Sequence, residues 1–307
     1  MDPVQKQFNT LIQMMTAFPD EQSAVDHFTA IRWKGGAFCP HCGSTRVYHF
    51  ADRRNHKCGD CRKRFSIKVG TIFEDSKIPL RTWMLAIWMI TSHKKGIAST
   101  QLAKDLGVTQ KTAWFMTQRL RHALRTKSFN RPLDGQVEVD ETFVGGKEAN
   151  KHEAKRLHRG RGGVGKAVVM GMIERGGELR AGVVENTKSH TLQGLVRSHV
   201  APGSNVYTDE AAAYRGLQGT YSHHTVNHGA GQYVQHFHNH TNSIESVWAL
   251  LNRQIIGIHH WVSPKHLDRY VGEMTWRFNA RSMGEGERFN ALIEQAAGRL
   301  TYKELIA

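Results

Sequence analysis

The chain has 307 residues, with 42 Lys or Arg against 27 Asp or Glu and a formal net charge of +15 with 19 histidines uncounted. A field of that sign favours a polyanion, nucleic acid being the commonest, although charge alone also fits a ribosomal or anionic-membrane protein. The longest strongly apolar stretch, Trp83 to Ile90, is too short to span a bilayer, and no basic-then-apolar leader opens the chain. A cytoplasmic protein of two or three domains with no membrane partner is expected.

The N-terminal segment reads as two helices, 8–18 and 21–33, broken at Pro19 and assigned to packing or DNA-end contact. All four cysteines then fall in two pairs, Cys39-Pro-His-Cys42 and Cys58-Gly-Asp-Cys61, with 15 residues between them. Each pair can clamp one face of a tetrahedral ion, and four thiolates leave no open position. A structural Zn²⁺ on Cys39, Cys42, Cys58 and Cys61 is therefore expected rather than disulfides. Arg53, Arg54, Arg62, Lys63 and Arg64, interleaved with Phe50 and Phe65, favour phosphate contact over base reading.

From Pro79 to Leu124 the apolar spacing turns helical. Leu80 to Ile90 is apolar nearly all round and predicts a buried helix. Ser99 to Leu106 is a short amphipathic helix, Gly107-Val108 a turn, and Thr109 to Leu124 a longer helix capped by Thr109. That layout is a helix-turn-helix, with Thr109, Gln110, Lys111 and Thr112 facing a major groove. A helical hairpin that only packs is the alternative.

After Pro132-Leu-Asp-Gly135 strands take over. Gln136 to Val144 interleaves β-branched and aromatic residues with polar ones, and two further strands, 167–173 and 179–184, flank the hairpin signal Arg175-Gly-Gly177. The intervening loop carries Lys147, Lys151, Lys155, Arg156, Arg159, Arg161 and Lys166, of which Lys147, Arg159 and Arg161 are the leading DNA contacts. A helix over 190–200 leads to a strand at 205–207, and Glu210 to Ala213 reads as a helix start. Three antiparallel strands, a helix, a further strand and late helices make a mixed α/β sheet of the ribonuclease-H type. Asp140 and Asp209 sit on strands and Glu245 in a helical run, 242–251. Two strand ends and a helix can bring three oxygen ligands to one point, which suits a pair of hard cations about 3.5–4 Å apart and phosphodiester cleavage. Ordinary surface acids are the alternative.

The ribbon, the run from Phe65 to Leu80, Val139-Asp-Glu-Thr-Phe-Val-Gly-Gly-Lys147, Thr208-Asp209 and His240-Thr-Asn-Ser-Ile-Glu-Ser-Val-Trp248 together resemble the DDE-class insertion-sequence transposases. They are similar to the zinc-ribbon group called the fifteen-ninety-five insertion-sequence family, over residues 20 to 285. The resemblance implies a multidomain α+β protein in which Asp140, Asp209 and Glu245 hold two catalytic Mg²⁺ ions, with Mn²⁺ as a substitute. The implied activity is to bind the terminal inverted repeats of a mobile element, cleave phosphodiester bonds and join the 3′-hydroxyl ends to double-stranded target DNA. A homodimer or higher oligomer on DNA, in a prokaryotic cytoplasm at the nucleoid, follows from the same resemblance. A DNA-binding regulator with an inert core and a nuclease of the same fold are the alternatives.

The class often carries Lys or Arg seven residues after the glutamate; here that position is Asn252 and the cation, Arg253, comes one later, about 80° around the helix. Arg253 is expected to hold the terminal phosphate, with Asn252 a weaker contact. Asn242 rivals Glu245 as third catalytic residue, but only a carboxylate neutralises a divalent ion, so Asn242 is assigned support. His228 and His240 match family positions and are expected to position DNA or water. The other crowded histidines, His223, His224, His236 and His238, contain no HExxH-like pair. Trp248 is expected in the core. The expected division is N-terminal helices 1–34, zinc ribbon 35–70, helix-turn-helix domain 71–130, catalytic domain 131–283 and a C-terminal helix 284–307.

Overall fold

The protein, as a computed structural model, is described over residues 8–125, 131–146, 150–156, 163–226 and 240–306. By its contacts the chain divides into two units, Met1–Arg125 with Ser282–Ala307, and Thr126–Arg281. Among the described residues no helix is long and apolar enough to cross a membrane.

In the first unit, helix α1 spans Leu11–Ala17 and α2 Glu21–Arg32. Pro19 separates them, and Asp20 restarts the helix through a reciprocal cap in which its carboxylate accepts from the Ser23 amide at 2.7 Å. Strands β1 (Val47–His49), β2 (Asn55–Cys58) and β3 (Arg64–Ser66) form an antiparallel meander with Val47 opposite Cys58 and His56 opposite Phe65. Its small core gathers Cys39, Cys58 and Phe65 with Trp33, Val47 and Val69 around them.

Helix α3 (Leu80–Ser92) starts at Pro79, which has no capping side chain. Glu21 supplies the cap from α2, accepting from the amides of Leu80 and Arg81 at 2.9 and 2.8 Å. Helices α4 (Ser99–Leu106) and α5 (Gln110–Ala123) follow, joined through Gly107 at φ +65°, the left-handed region glycine adopts without a Cβ clash.

The unit closes with elements from the far end of the chain. Sequence-adjacent to the second unit, the C-terminal segment forms two helices, Glu285–Glu294 and Tyr302–Ile306, that pack with the N-terminal ones. Phe289 lies 5.0 Å from the Phe8 ring and 5.7 Å from Phe18, while His27 Nε2 meets Asn290 Oδ1 at 2.9 Å. A Cβ on Gly286 would stand 2.7 Å from the Phe8 carbonyl oxygen, so only glycine permits this approach.

The second unit is built on strands β4 (Gln136–Val144), β5 (Ala167–Glu174), β6 (Leu179–Val184), β7 (Asn205–Asp209) and β8 (Ser222–Val226), in the order β6-β5-β4-β7-β8. The first three are antiparallel, with Asp140 opposite Gly171; β7 then pairs parallel to β4 and β8 parallel to β7. Alternation sends Val137, Val139, Met170, Met172 and Val206 to one face, under α6 (Ser189–His199) through Leu192 and Val196. The opposite face carries Val144, Val169 and Ile173 against Ile244, Val247, Trp248 and Leu251 of α7 (Asn242–Gln254) and Leu267 and Val271 of α8 (Pro264–Asn279).

One expected element is shorter than its sequence suggests. Glu210 to Ala213 starts no α-helix; a single 3₁₀ turn, Ala212–Tyr214, stands there. The Asp209 carboxylate accepts from the Ala211 amide at 3.0 Å, and the chain leaves the turn extended at Arg215, so nothing propagates the helix.

Candidate functional site

The four cysteine sulfurs form one cluster, all within 4.8 Å of one another. Cys39 and Cys61 lie 3.7 Å apart and Cys42 and Cys58 3.6 Å, close to the roughly 3.8 Å between sulfurs that a tetrahedral ion with Zn–S bonds of about 2.3 Å requires. Amides of Asp60 and Cys61 both donate to Cys58 Sγ at 3.4 Å, and that of His41 to Cys39 Sγ at 3.4 Å, which favours thiolates. The four thiols are not disulfide-bonded, and the set fits a structural zinc ion. Of the basic residues of the ribbon, Arg53 is paired with Asp26 at 3.1 Å and Arg64 stacks over Phe50 at 5.4 Å, while Arg54, Arg62 and Lys63 are exposed.

At α5, Thr109 accepts from the Thr112 amide at 3.2 Å and the two hydroxyls meet at 2.9 Å, so both threonines are engaged in the cap. Gln110 donates to Ser99 Oγ at 3.0 Å, and Lys111 is exposed.

In the second unit the acids gather where the parallel pair β4–β7 ends. Pairing runs from Gln136 opposite Asn205 to Glu138 opposite Tyr207; Asp140 and Asp209 each lie two residues further on, on the same side of their strands. Asp140 is half-buried, and burial pushes its carboxyl up to about 6, with the negative charges of Asp209 and Glu245 adding to the rise. Trp248 opposes this, its indole N–H donating to Asp140 Oδ2 at 2.9 Å. That ring lies over Gly171, where a Cβ would come within 2.6 Å of it; the glycine opposite Asp140 is what admits the tryptophan.

Glu245 is exposed on α7, accepting from Thr241 Oγ1 at 3.2 Å. Asn242, the first residue of α7, is exposed, as are Asn252 and Arg253 near its end. Lys147, Arg159, Arg161 and His228 lie outside the described residues.

Two further acids join the group. Glu141, on the opposite face of β4, is pushed up to about 7, by burial first and then by Asp209 and Asp140, although the Tyr214 hydroxyl donates to it. Burial and the Glu141 charge in turn raise the Tyr214 hydroxyl far above its ordinary value. Glu138 is fully buried and accepts from Arg175 Nε at 2.7 Å, the Ser243 amide at 2.8 Å, Ser243 Oγ at 3.0 Å and the Ile244 amide at 3.0 Å. Neither glutamate stands out along the chain as a site residue; the readable signal for Glu138 is a charge on a strand flanked by Val137 and Val139, two positions before Asp140.

No three carboxylates among the described residues bring their oxygens within 4.8 Å of one another as the cysteine sulfurs do. The acid set is open: hard oxygen donors spread more widely than a single enclosed ion demands. Such hard oxygen donors suit a divalent cation.

Residues 132–279 match the ISXO2-like transposase domain, and residues 19–64 the transposase zinc-ribbon domain. An uncharacterized protein in the transposable element ISH50 of Halobacterium salinarum is 30% identical over 294 residues, covering 91% of this chain and 98% of that one. The chain belongs to the ISXO2-like transposase family. An uncharacterized transposase-like protein of Haemophilus influenzae is 35% identical over 101 residues, 32% of this chain and 77% of that one. A pre-cleavage Mos1 transpososome, covering 71% of this chain and 80% of that one, is 10% identical with a TM-score of 0.24, too low to bear on the fold. The family match spans both candidate metal centres, the ribbon cysteines and the acids of the five-stranded sheet.

Proposed function

We infer that this family member is a divalent-metal-dependent DNA transposase that nicks the ends of a mobile element and joins them to target DNA. The observation that carries the reading is geometric: Asp140 and Asp209 stand two residues beyond the last β4–β7 pair on the same side of their strands, and α7, which bears Glu245, is tied to β4 by the Trp248 indole N–H donating to Asp140. A binding-only protein has no use for such an unfavourable gathering of like charge. The strand order β6-β5-β4-β7-β8, three antiparallel strands extended by two parallel ones, supports a ribonuclease-H-like core.

Asp140, Asp209 and Glu245 would hold a pair of Mg²⁺ ions, which when bound supply Lewis-acid activation of a water and of the departing 3′ oxygen. The protein's own part is orientation. Trp248 fixes one oxygen of Asp140, and Thr241 one of Glu245. Hydrolysis of a phosphodiester at the element end frees a 3′-hydroxyl; that hydroxyl then attacks a target phosphodiester in line, one P–O bond forming as another breaks. Arg253 and Asn252 are assigned to the terminal phosphate, His240, His228 and Asn242 to support, and Lys147, Arg159 and Arg161 to DNA.

The ribbon and the α4–α5 pair are assigned to DNA binding, α4–α5 as a helix-turn-helix with Gln110 and Lys111 at its exposed tip, in a protein acting at the nucleoid as at least a homodimer. The domain boundaries 35–70, 71–130 and 131–283 are proposed on the same basis.

A supercoiled target incubated with a labelled pre-cut end and Mg²⁺ tests this reading. Joined product is expected from the parent and none from Glu245→Gln, which should still bind end DNA. Nicking without joining would make the protein a nuclease; neither reaction, with DNA binding intact, would make it a regulator.

A further inference from the structure

All three acid-bearing elements meet in one buried polar knot set one pleat behind the acids. Glu138 lies two residues before Asp140 on β4, with its side chain fully buried. Its Oε2 accepts from the amides of Ser243 and Ile244, and its Oε1 from Ser243 Oγ. These two amides are orphans of the first turn of α7, where Thr241 contributes no side-chain cap. A carboxylate there also meets the positive end of the helix dipole.

Oε1 of Glu138 further accepts from Arg175 Nε at 2.7 Å and lies 3.3 Å from His240 Nδ1. Arg175 in turn donates to the His240 carbonyl at 2.6 Å and to Gln136 Oε1 at 2.9 Å. Its guanidinium lies 4.2 Å from the ring centroid of Tyr207, two residues before Asp209 on β7, and His224 stacks on that ring at 5.1 Å.

We propose that Glu138 is the positioning residue of the acid site, tying α7 to β4 directly and β7 to both through Arg175 and Tyr207, so that Glu245, Asp140 and Asp209 are held at one spacing. This rests on the metal-dependent reading of those acids. The charge matters as well as the shape: a glutamine offers one acceptor oxygen where the glutamate uses two, and leaves Arg175 without its counter-charge.

The test uses the full-length protein with Mn²⁺ as probe. Glu138→Gln is expected to bind end DNA like the parent. It should bind Mn²⁺ at least tenfold more weakly in a calorimetric or spin-resonance titration, and need correspondingly more Mg²⁺ for half-maximal joining, with the maximum recovered in part at high metal. In the pair Glu138→Gln and Glu245→Gln, the losses of Mn²⁺ affinity should be clearly less than additive, because Glu138 acts through the acids it positions, Glu245 among them. Independent losses, or parent-like metal dependence in Glu138→Gln, would overturn the proposal. If Glu138→Gln does not fold, Ser243→Ala and Arg175→Lys, which remove one strand of the knot each, decide by the same titration, a parent-like result in both overturning it. A parent that binds no Mn²⁺ and neither nicks nor joins refutes the functional reading itself, an outcome separate from these.

Discussion

In the ribbon, four sulfurs from two tight turns converge within 4.8 Å, whereas the acids at the sheet come from two strands and a helix, and no three of those described draw as close. The first arrangement is closed and satisfied by one soft ion; the second is open, and its charge is held together against repulsion by the fold around it. A structural centre can be local because its ion does the assembling. The reactive centre proposed at the acids must leave positions free, so there the protein would have to supply the restraint, from Trp248 over Gly171 and from Glu138 beneath α7.

The contrast predicts unequal responses. Cys58→Ala removes a buried ligand from the closed set, and structural zinc is worth about 10–16 kcal/mol in isolated zinc modules. Loss of bound zinc by atomic emission and rapid proteolysis within 35–70 are expected, with strands β4 to β8 remaining protected. A ribbon that resists protease without zinc would show that its small core, not the ion, organises it.

Gly171→Ala strikes the restraint on the open set. Its Cβ would stand within 2.6 Å of Trp248 and 2.9 Å of Ile244, and overpacking of that kind costs about 1–3 kcal/mol. A lowered urea midpoint at unchanged slope is expected; an unchanged midpoint would mean the indole moves freely.

Trp248→Phe keeps most of the ring but deletes the donor to Asp140, a bond to a charged group worth about 1.5–3 kcal/mol when the carboxylate is ionised. Because that donor lowers the Asp140 pKa, its loss should move the carboxyl further upward, visible in a metal-free NMR titration of the carboxyl in chelator. An unmoved titration would show that the indole N–H does not hold the carboxylate.

A further effect is on stability against pH. Burial raises Asp140 from 3.8 to about 6 and Glu141 from 4.5 to about 7, so across those windows the folded chain keeps protons that the unfolded chain releases. Their contribution to stability is therefore lost as pH rises. In chelator, Asp140→Asn should raise the thermal midpoint relative to the parent at pH 8 and leave it nearly unchanged at pH 4. A gain of equal size at both values would trace to packing rather than charge.

Much of the fold is legible along the chain because it follows local periodicity. The break at Pro19, the buried helix of Leu80 to Ile90 and the hairpin through Arg175-Gly-Gly177 all stand where spacing and turn chemistry put them. The 3₁₀ turn at Ala212–Tyr214 was less legible, since three alanines promise a helix that the Asp209 turn cuts short. Helix caps were the least visible part. Both α3 and α7 begin without a capping side chain of their own, and each receives a glutamate from elsewhere, Glu21 at 2.8–2.9 Å and Glu138 at 2.8–3.0 Å.

Sequence by itself determined the cysteine spacing that the four-sulfur cluster follows and the positive field, since these depend on residue type and on spacings of a few positions. Tertiary structure alone decided that the C-terminal helices close the N-terminal unit, and that Glu138 reaches the start of a helix 105 residues away. The physical reason lies in reach: local rules settle φ, ψ and side-chain facing, but which distant groups share a buried carboxylate depends on how strands and helices pack once the chain has folded.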